Sequence, residues 1–98
     1  MDVFWIVVGG ANPVKLIRKL NGRVSQLHLK DVKKGMALPN YGSIPKDAFK
    51  ELGNGSIDIG PIINAADKAD VAHCHVEQDQ SPNPIKSIQT SIQYLDTL

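Results

Sequence analysis

Short apolar stretches alternate along this chain with segments of helical spacing, and that order constrains the fold more than any other feature. Val3-Phe4-Trp5-Ile6-Val7-Val8 stops at Gly9-Gly10, Arg23 to Leu29 alternates Leu27 and Leu29 against Gln26 and His28, and Val71 to Val76 runs into Glu77-Gln78-Asp79. Such runs, bounded by breakers, read as strands. Between and after them come helices. Asn12-Pro13 offers a side-chain cap and a first-turn proline ahead of Val14, Leu16, Ile17 and Leu20. A second helical pattern spans Pro61 to about Ala69, and Ser81-Pro82-Asn83-Pro84 precedes Ile85, Ile88, Ile92 and Leu95 on one face of a closing helix. From Asp31 to about Gly60 glycine and proline punctuate a long loop, with a helical turn expected near Lys46 to Leu52. The order predicts an α/β protein of parallel βα units rather than a sandwich or a bundle.

Composition removes several classes. The chain has 98 residues, 11 basic and 10 acidic side chains, and one cysteine. A single thiol closes no internal disulfide, so the cystine-stapled secreted scaffolds are excluded, and a cytoplasmic location is expected. No apolar run approaches the roughly 20 residues a membrane-spanning helix needs, so no membrane partner is expected. The lysines are scattered at a net charge of +1 and form no stripe for a phosphate backbone, so no nucleic-acid partner is expected. A parallel sheet of two or three strands with three helices leaves apolar strand faces and edges uncovered, which predicts an oligomer or a partner segment.

Chemistry gathers where the strands finish. In parallel α/β architectures ligands sit at the carboxyl ends of strands. His28-Leu29-Lys30-Asp31 follows one strand, Glu77-Gln78-Asp79 follows another, and Asp2 stands where a preceding strand would end. Two carboxylates and an imidazole from different units suit a hard or borderline divalent cation, which polarises an oxygen while a neighbouring carboxylate takes a proton from carbon. Taken singly, Asp2 also reads as a solvated terminus and Glu77 as a surface charge. Lys30 shares the strand face of His28 and reads equally as a contact to a substrate hydroxyl or phosphate and as a rim lysine in water. Asp31 reads as an acceptor for the loop. Gly53-Asn54-Gly55 reads as a turn with positive backbone dihedrals, and Asp58 as the cap of the next helix. His73 and His75 fall on one strand face and Cys74 on the other, so the three cannot bind one ion; buried, hydrogen-bonded histidines and a packed cysteine are expected.

Several segments together carry a resemblance. Asp2-Val3-Phe4-Trp5, Gly10 to Pro13, Gly22-Arg23, Leu27 to Asp31, Glu51 to Asp58, Val76 to Asp79 and the Ser91 to Leu95 helix look like the C-terminal part of the sugar phosphate isomerase/epimerase family. That family shares the xylose isomerase-like TIM barrel with endonuclease IV. The resemblance implies a partial (β/α)8 barrel, roughly its last two to three βα units, with residues 1–98 as one incomplete domain. A whole barrel takes about 250 residues, so three of its eight units would fill about 94. It further implies a divalent metal, Mn2+ or Mg2+, held by Asp2, His28, Glu77 and a further glutamate that has no counterpart here. Glu77 is then also an acid/base group, working on a sugar or sugar phosphate through an enediolate. Related epimerases have a substrate-contacting histidine where this chain has Trp5, which keeps Trp5 as a substrate-binding position and argues against a ketohexose epimerase. On this reading Asp2 closes a strand and Val3 to Gly10 becomes a loop or short helix. The isolated chain is expected to be inactive. The rival readings are a non-catalytic remnant that oligomerises and an endonuclease IV-like phosphodiesterase.

Overall fold

The first apolar run forms a helix, not a strand. In the computed structural model, which describes all 98 residues, Val3–Val8 is helix α1, and the extended Asp2 caps it by accepting the Trp5 backbone N–H at 3.2 Å. A continuous apolar run carries no period of its own, so the cap at one end and Gly9-Gly10 at the other decide the outcome. This overturns the strand expected from composition and agrees with the short helix implied by the resemblance. Helix α2 covers Pro13–Lys19, with Asn12 accepting from Lys15 N–H at 3.0 Å.

The remaining elements are β1 (Gln26–Leu29), β2 (Asp31–Val32), β3 (Phe49–Lys50), α3 (Ile59–Lys68), β4 (His73–Val76) and α4 (Pro84–Leu95). Strands β1 and β4 are parallel, pairing Gln26 with His73 and His28 with His75, and α3 lies between them in the chain. Asp2 makes a parallel bridge to His28, whose N–H donates to the Met1 carbonyl at 2.8 Å. Three chain segments therefore run side by side in one direction, and their carboxyl ends meet at one edge. The long loop holds more structure than its composition suggests: β2 and β3 form an antiparallel pair, and the expected turn is a 3-10 turn over Lys46–Ala48.

Helices cover one face of the sheet. Leu27 and Leu29 are fully buried there with Ile17, Ile59, Ile62, Ala65 and Ala66, in one cluster that also takes in Val3 and Phe4 from α1. Each such aliphatic side chain contributes about 1.5–3 kcal/mol by leaving water. Phe4 stacks on Phe49, with ring centroids 4.6 Å apart, and so ties α1 to β3. The molecule measures 36 × 30 × 17 Å, a slab whose second sheet face carries Gln26, His28, His73 and His75.

Asp31 organises the loop. Fully buried, its carboxylate accepts from the backbone N–H groups of Val32 (2.8 Å), Ile57 (2.9 Å), Gly55 (3.0 Å) and Gly53 (3.1 Å). The acceptor role read from the sequence holds. A Cβ on Gly55 would collide with that carboxylate, and Gly53, at φ +87°, lies against the Tyr94 ring. Glycine is required at both positions by these approaches, and at Gly53 by its dihedral as well.

Three local expectations are corrected. Asp58 precedes α3 but makes no side-chain cap bond. His73, Cys74 and His75 are exposed rather than buried, because β4 pairs along only one edge; His75 Nε2 does lie 3.1 Å from the Gln26 amide oxygen. Helix α4 turns its isoleucines outward, with Ile85 72% exposed, while Ser87 and Ser91 are buried. Those serines dock the helix: Ser87 donates to the Glu51 carboxylate at 2.5 Å and Ser91 Oγ accepts the Leu52 N–H at 3.0 Å. The uncovered apolar surface therefore lies on α4, whereas the open sheet face, expected to be apolar, carries Gln26, His28, His73 and His75.

Candidate metal centre

Asp2, His28 and Glu77 converge at the carboxyl edge of the sheet. Asp2 arrives from the segment paired with β1, His28 from β1 itself and Glu77 from the residue after β4, whose N–H donates to the Leu29 carbonyl at 3.1 Å. Parallel register does the work: pairing His28 with His75 puts Glu77, two residues on, at the same face one step nearer the edge. One ligand atom from each of the three lies within 4.8 Å of the others. His28 Nδ1 is 3.1 Å from Glu77 Oε2 and 3.6 Å from Asp2 Oδ2.

Lys30 is the fourth member. Its side chain is only 6% exposed, and its ammonium lies 2.8 Å from Asp79 Oδ1, 3.0 Å from Asp2 Oδ2 and 3.2 Å from Glu77 Oε2. Burial alone would lower its pKa, but the hydrogen bonds to Asp79, Asp2 and Glu77 outweigh that and hold the ammonium above the ordinary lysine range. Lys30 is therefore not a rim lysine in water. It is an internal cation whose hydrogen-bonding capacity is taken up by three carboxylates. Asp79 was not singled out in the sequence, although it shares a face with Glu77 by alternation and so carried a signal.

Trp5 sits in the first turn of α1, partly exposed, with its indole edge-on to Phe4 at a centroid distance of 4.9 Å. Its link to the centre is through the backbone: Asp2 Oδ1 caps the Trp5 N–H while Oδ2 faces His28 and Lys30. His75 stands beside His28 in register, their rings 5.9 Å apart. Cys74 lies on the other side, and partial desolvation raises its thiol pKa, which makes it a poor nucleophile.

The donor set fits a divalent cation. Two carboxylates and an imidazole with ligand atoms within 4.8 Å of one another are the donor types of a hard or borderline divalent cation. Three carboxylates against one ammonium also leave two negative charges for such an ion to balance.

Comparison with known proteins agrees with the resemblance read from the motifs. No family model matches the chain. Its fold is that of a region of a solved protein, a sugar phosphate isomerase/epimerase from Parabacteroides distasonis ATCC 8503, with a TM-score of 0.71 and 22% identity over the whole chain and 30% of that protein. In fold, then, the chain is an α/β segment of the kind found in sugar phosphate isomerase/epimerase proteins. In sequence it is 30% identical over 105 aligned residues to the inosose dehydratases of two Clostridium botulinum strains, Eklund 17B and Alaska E43. That alignment covers 96% of this chain and 35% of those relatives, so the chain spans about a third of their length.

Proposed function

We propose that this chain carries part of the active site of a divalent-metal-dependent enzyme that moves a proton next to the carbonyl of a sugar or sugar phosphate. The observation that supports this best is the convergence of Asp2, His28 and Glu77, from three separate segments, within 4.8 Å. Asp2, His28 and Glu77 would hold the ion, with Mn2+ or Mg2+ as the natural choices. When bound, it would supply positive charge to a substrate oxygen and so acidify the adjacent C–H. Glu77 is half-exposed and so within reach of a substrate at the sheet edge, where it accepts that proton. Returning it to the neighbouring carbon of the enediolate, while the substrate hydroxyl proton passes to the former carbonyl oxygen, completes an isomerisation; returning a proton to the opposite face of the same carbon would need a second acid. In the family this chain resembles, that second acid is a glutamate with no counterpart here, and we expect no turnover from the 98-residue chain alone.

The Clostridium relatives favour a second reading. They are named inosose dehydratases, and a dehydration can start with the same proton abstraction. The electron pair then expels a hydroxide from the next carbon, which leaves as water with a proton from the enzyme. Both readings use Glu77 in the same way and differ in the fate of the intermediate.

In either case the chain is read as the closing part of a (β/α)8 barrel, acting in the cytoplasm on a small carbohydrate, without nucleic acid or membrane, and either oligomeric or completed by a preceding barrel segment. No helix here is long and apolar enough to cross a membrane. The deciding experiment is titration of the chain with Mn2+, followed by the electron paramagnetic resonance of the free ion. One ion per chain, lost in His28→Ala and Glu77→Gln, is expected; no binding, or binding unchanged in both variants, would remove the reading. Deuterium uptake from D2O at the carbon beside a ketose carbonyl, by the chain completed with an upstream barrel segment, then separates proton transfer from other chemistry.

A further inference from the structure

The Lys30 ammonium touches the same two oxygens, Asp2 Oδ2 and Glu77 Oε2, that face His28 and would serve as ligands. It also touches a third carboxylate, Asp79, which is not among the possible ligands and is the nearest of the three, at 2.8 Å. From this geometry we propose that Lys30 is a built-in competitor of the divalent cation: it holds Asp2 and Glu77 together while the ion is away and withdraws onto Asp79 when the ion enters. Asp79 is then a positioning residue that acts through Lys30. The proposal rests on the metal reading above.

Charge and geometry both require such an arrangement. Two carboxylates brought within 4.8 Å of each other repel, and a half-buried pair needs a cation to stay in place. The ammonium meets that need without closing the site, because a +1 charge against three carboxylates leaves the cluster attractive to a further +2. Once the divalent ion sits on Asp2 and Glu77, Lys30 loses two of its hydrogen bonds and faces a like charge. A buried lysine cannot swing into water, so it needs a carboxylate of its own. Asp79, half-exposed and already the closest partner, meets that requirement.

The consequence is that Lys30 weakens cation binding and Asp79 restores it. Removing the ammonium should tighten Mn2+ binding by about tenfold or more, since a charge at hydrogen-bond distance from two ligand oxygens repels a divalent ion strongly even at a surface-like dielectric. The test is a double-mutant cycle read by Mn2+ titration calorimetry on Lys30→Met, Asp79→Asn and the double variant, with circular dichroism confirming the fold of each. Lys30→Met is expected to tighten binding. Asp79→Asn is expected to weaken it by about fivefold or more, and by no more than about twofold in the Lys30→Met background, where no ammonium needs housing. Weaker or equal affinity in Lys30→Met overturns the proposal, and so does an Asp79→Asn effect of the same size in both backgrounds. Should Lys30→Met fail to fold, the same measurement on Lys30→Gln decides in the same way. If the parent chain and every variant bind no Mn2+, the metal reading itself falls and takes this proposal with it, whereas binding by the parent without the predicted cycle overturns the proposal alone.

Discussion

Lys30 and Asp31 are neighbours in sequence, both buried and both charged, yet the protein settles their charges by opposite means. Asp31 is surrounded by four backbone N–H groups, a set fixed by chain path and by the absence of side chains at Gly53 and Gly55. Lys30 is surrounded by three side-chain carboxylates, each with other interactions or solvent within reach. Strand alternation sends the two side chains to opposite sides of the sheet edge. A charge satisfied by backbone cannot be reassigned without unfolding the loop. One satisfied by carboxylates can exchange partners, and chemistry needs that freedom.

The largest break in this comparison is Asp31→Ala. It strands backbone donors in the interior and should cost about 3–5 kcal/mol, enough to unfold much of a small domain's population, as urea denaturation would register. Gly55→Ala should act in the same direction by forcing the carboxylate off its donors. Next comes Lys30→Met, expected to cost about 1–2 kcal/mol because its partners remain partly hydrated. Here the two regions separate: millimolar Mn2+ should narrow the stability gap between the parent chain and Lys30→Met, while raising the parent and Asp31→Ala alike and leaving the gap between them as it was; a gap narrowed in both variants, or in neither, would erase the distinction. His28→Ala, at a half-exposed side chain, should shift stability by under about 1 kcal/mol while abolishing Mn2+ binding.

The smallest effect is a pH one. The Ser87 hydroxyl and a backbone N–H hold the Glu51 carboxyl below its usual range, against an opposing contribution from burial. A depressed carboxylate pKa adds stability above the unfolded-state value, and that stability is lost as pH falls through the folded-state one. Ser87→Ala should therefore lower stability at neutral pH, lose that effect as pH falls through the carboxylate range, and move the acid unfolding midpoint of the chain upward.

What the sequence disclosed divides along a similar line. Asn12-Pro13 is legible because a cap and a first-turn proline act within four residues, and it starts the helix it suggests; Asn83-Pro84, read only as part of a breaker cluster, turns out to start α4 in the same way. The strand-end acids and His28 were legible because parallel pairing fixes where strand ends go. The first apolar run misleads because its residues lack a period, and the capping contacts at its two ends, from Asp2 and at Gly9, distinguish helix from strand. The β2–β3 pair was hidden because two-residue strands have no pattern of their own; they exist because Asp31 gathers the loop around them. The outward isoleucines of α4 were read correctly as one face, but their direction depends on Ser87 and Ser91 finding Glu51 and Leu52, contacts remote in sequence. The role of Asp79 within the strand-end acids depends on how far Lys30 reaches, which strand alternation does not give.

Asp2 spends its two oxygens on different neighbours, one on the first turn of α1 and the other on the cation-facing cluster. Any pull on the second oxygen is felt by the first, and the amide at the far end of that bond belongs to Trp5, the only tryptophan in the chain. An ion drawn to the sheet edge would thus be expected to register in the indole emission, through a single carboxylate.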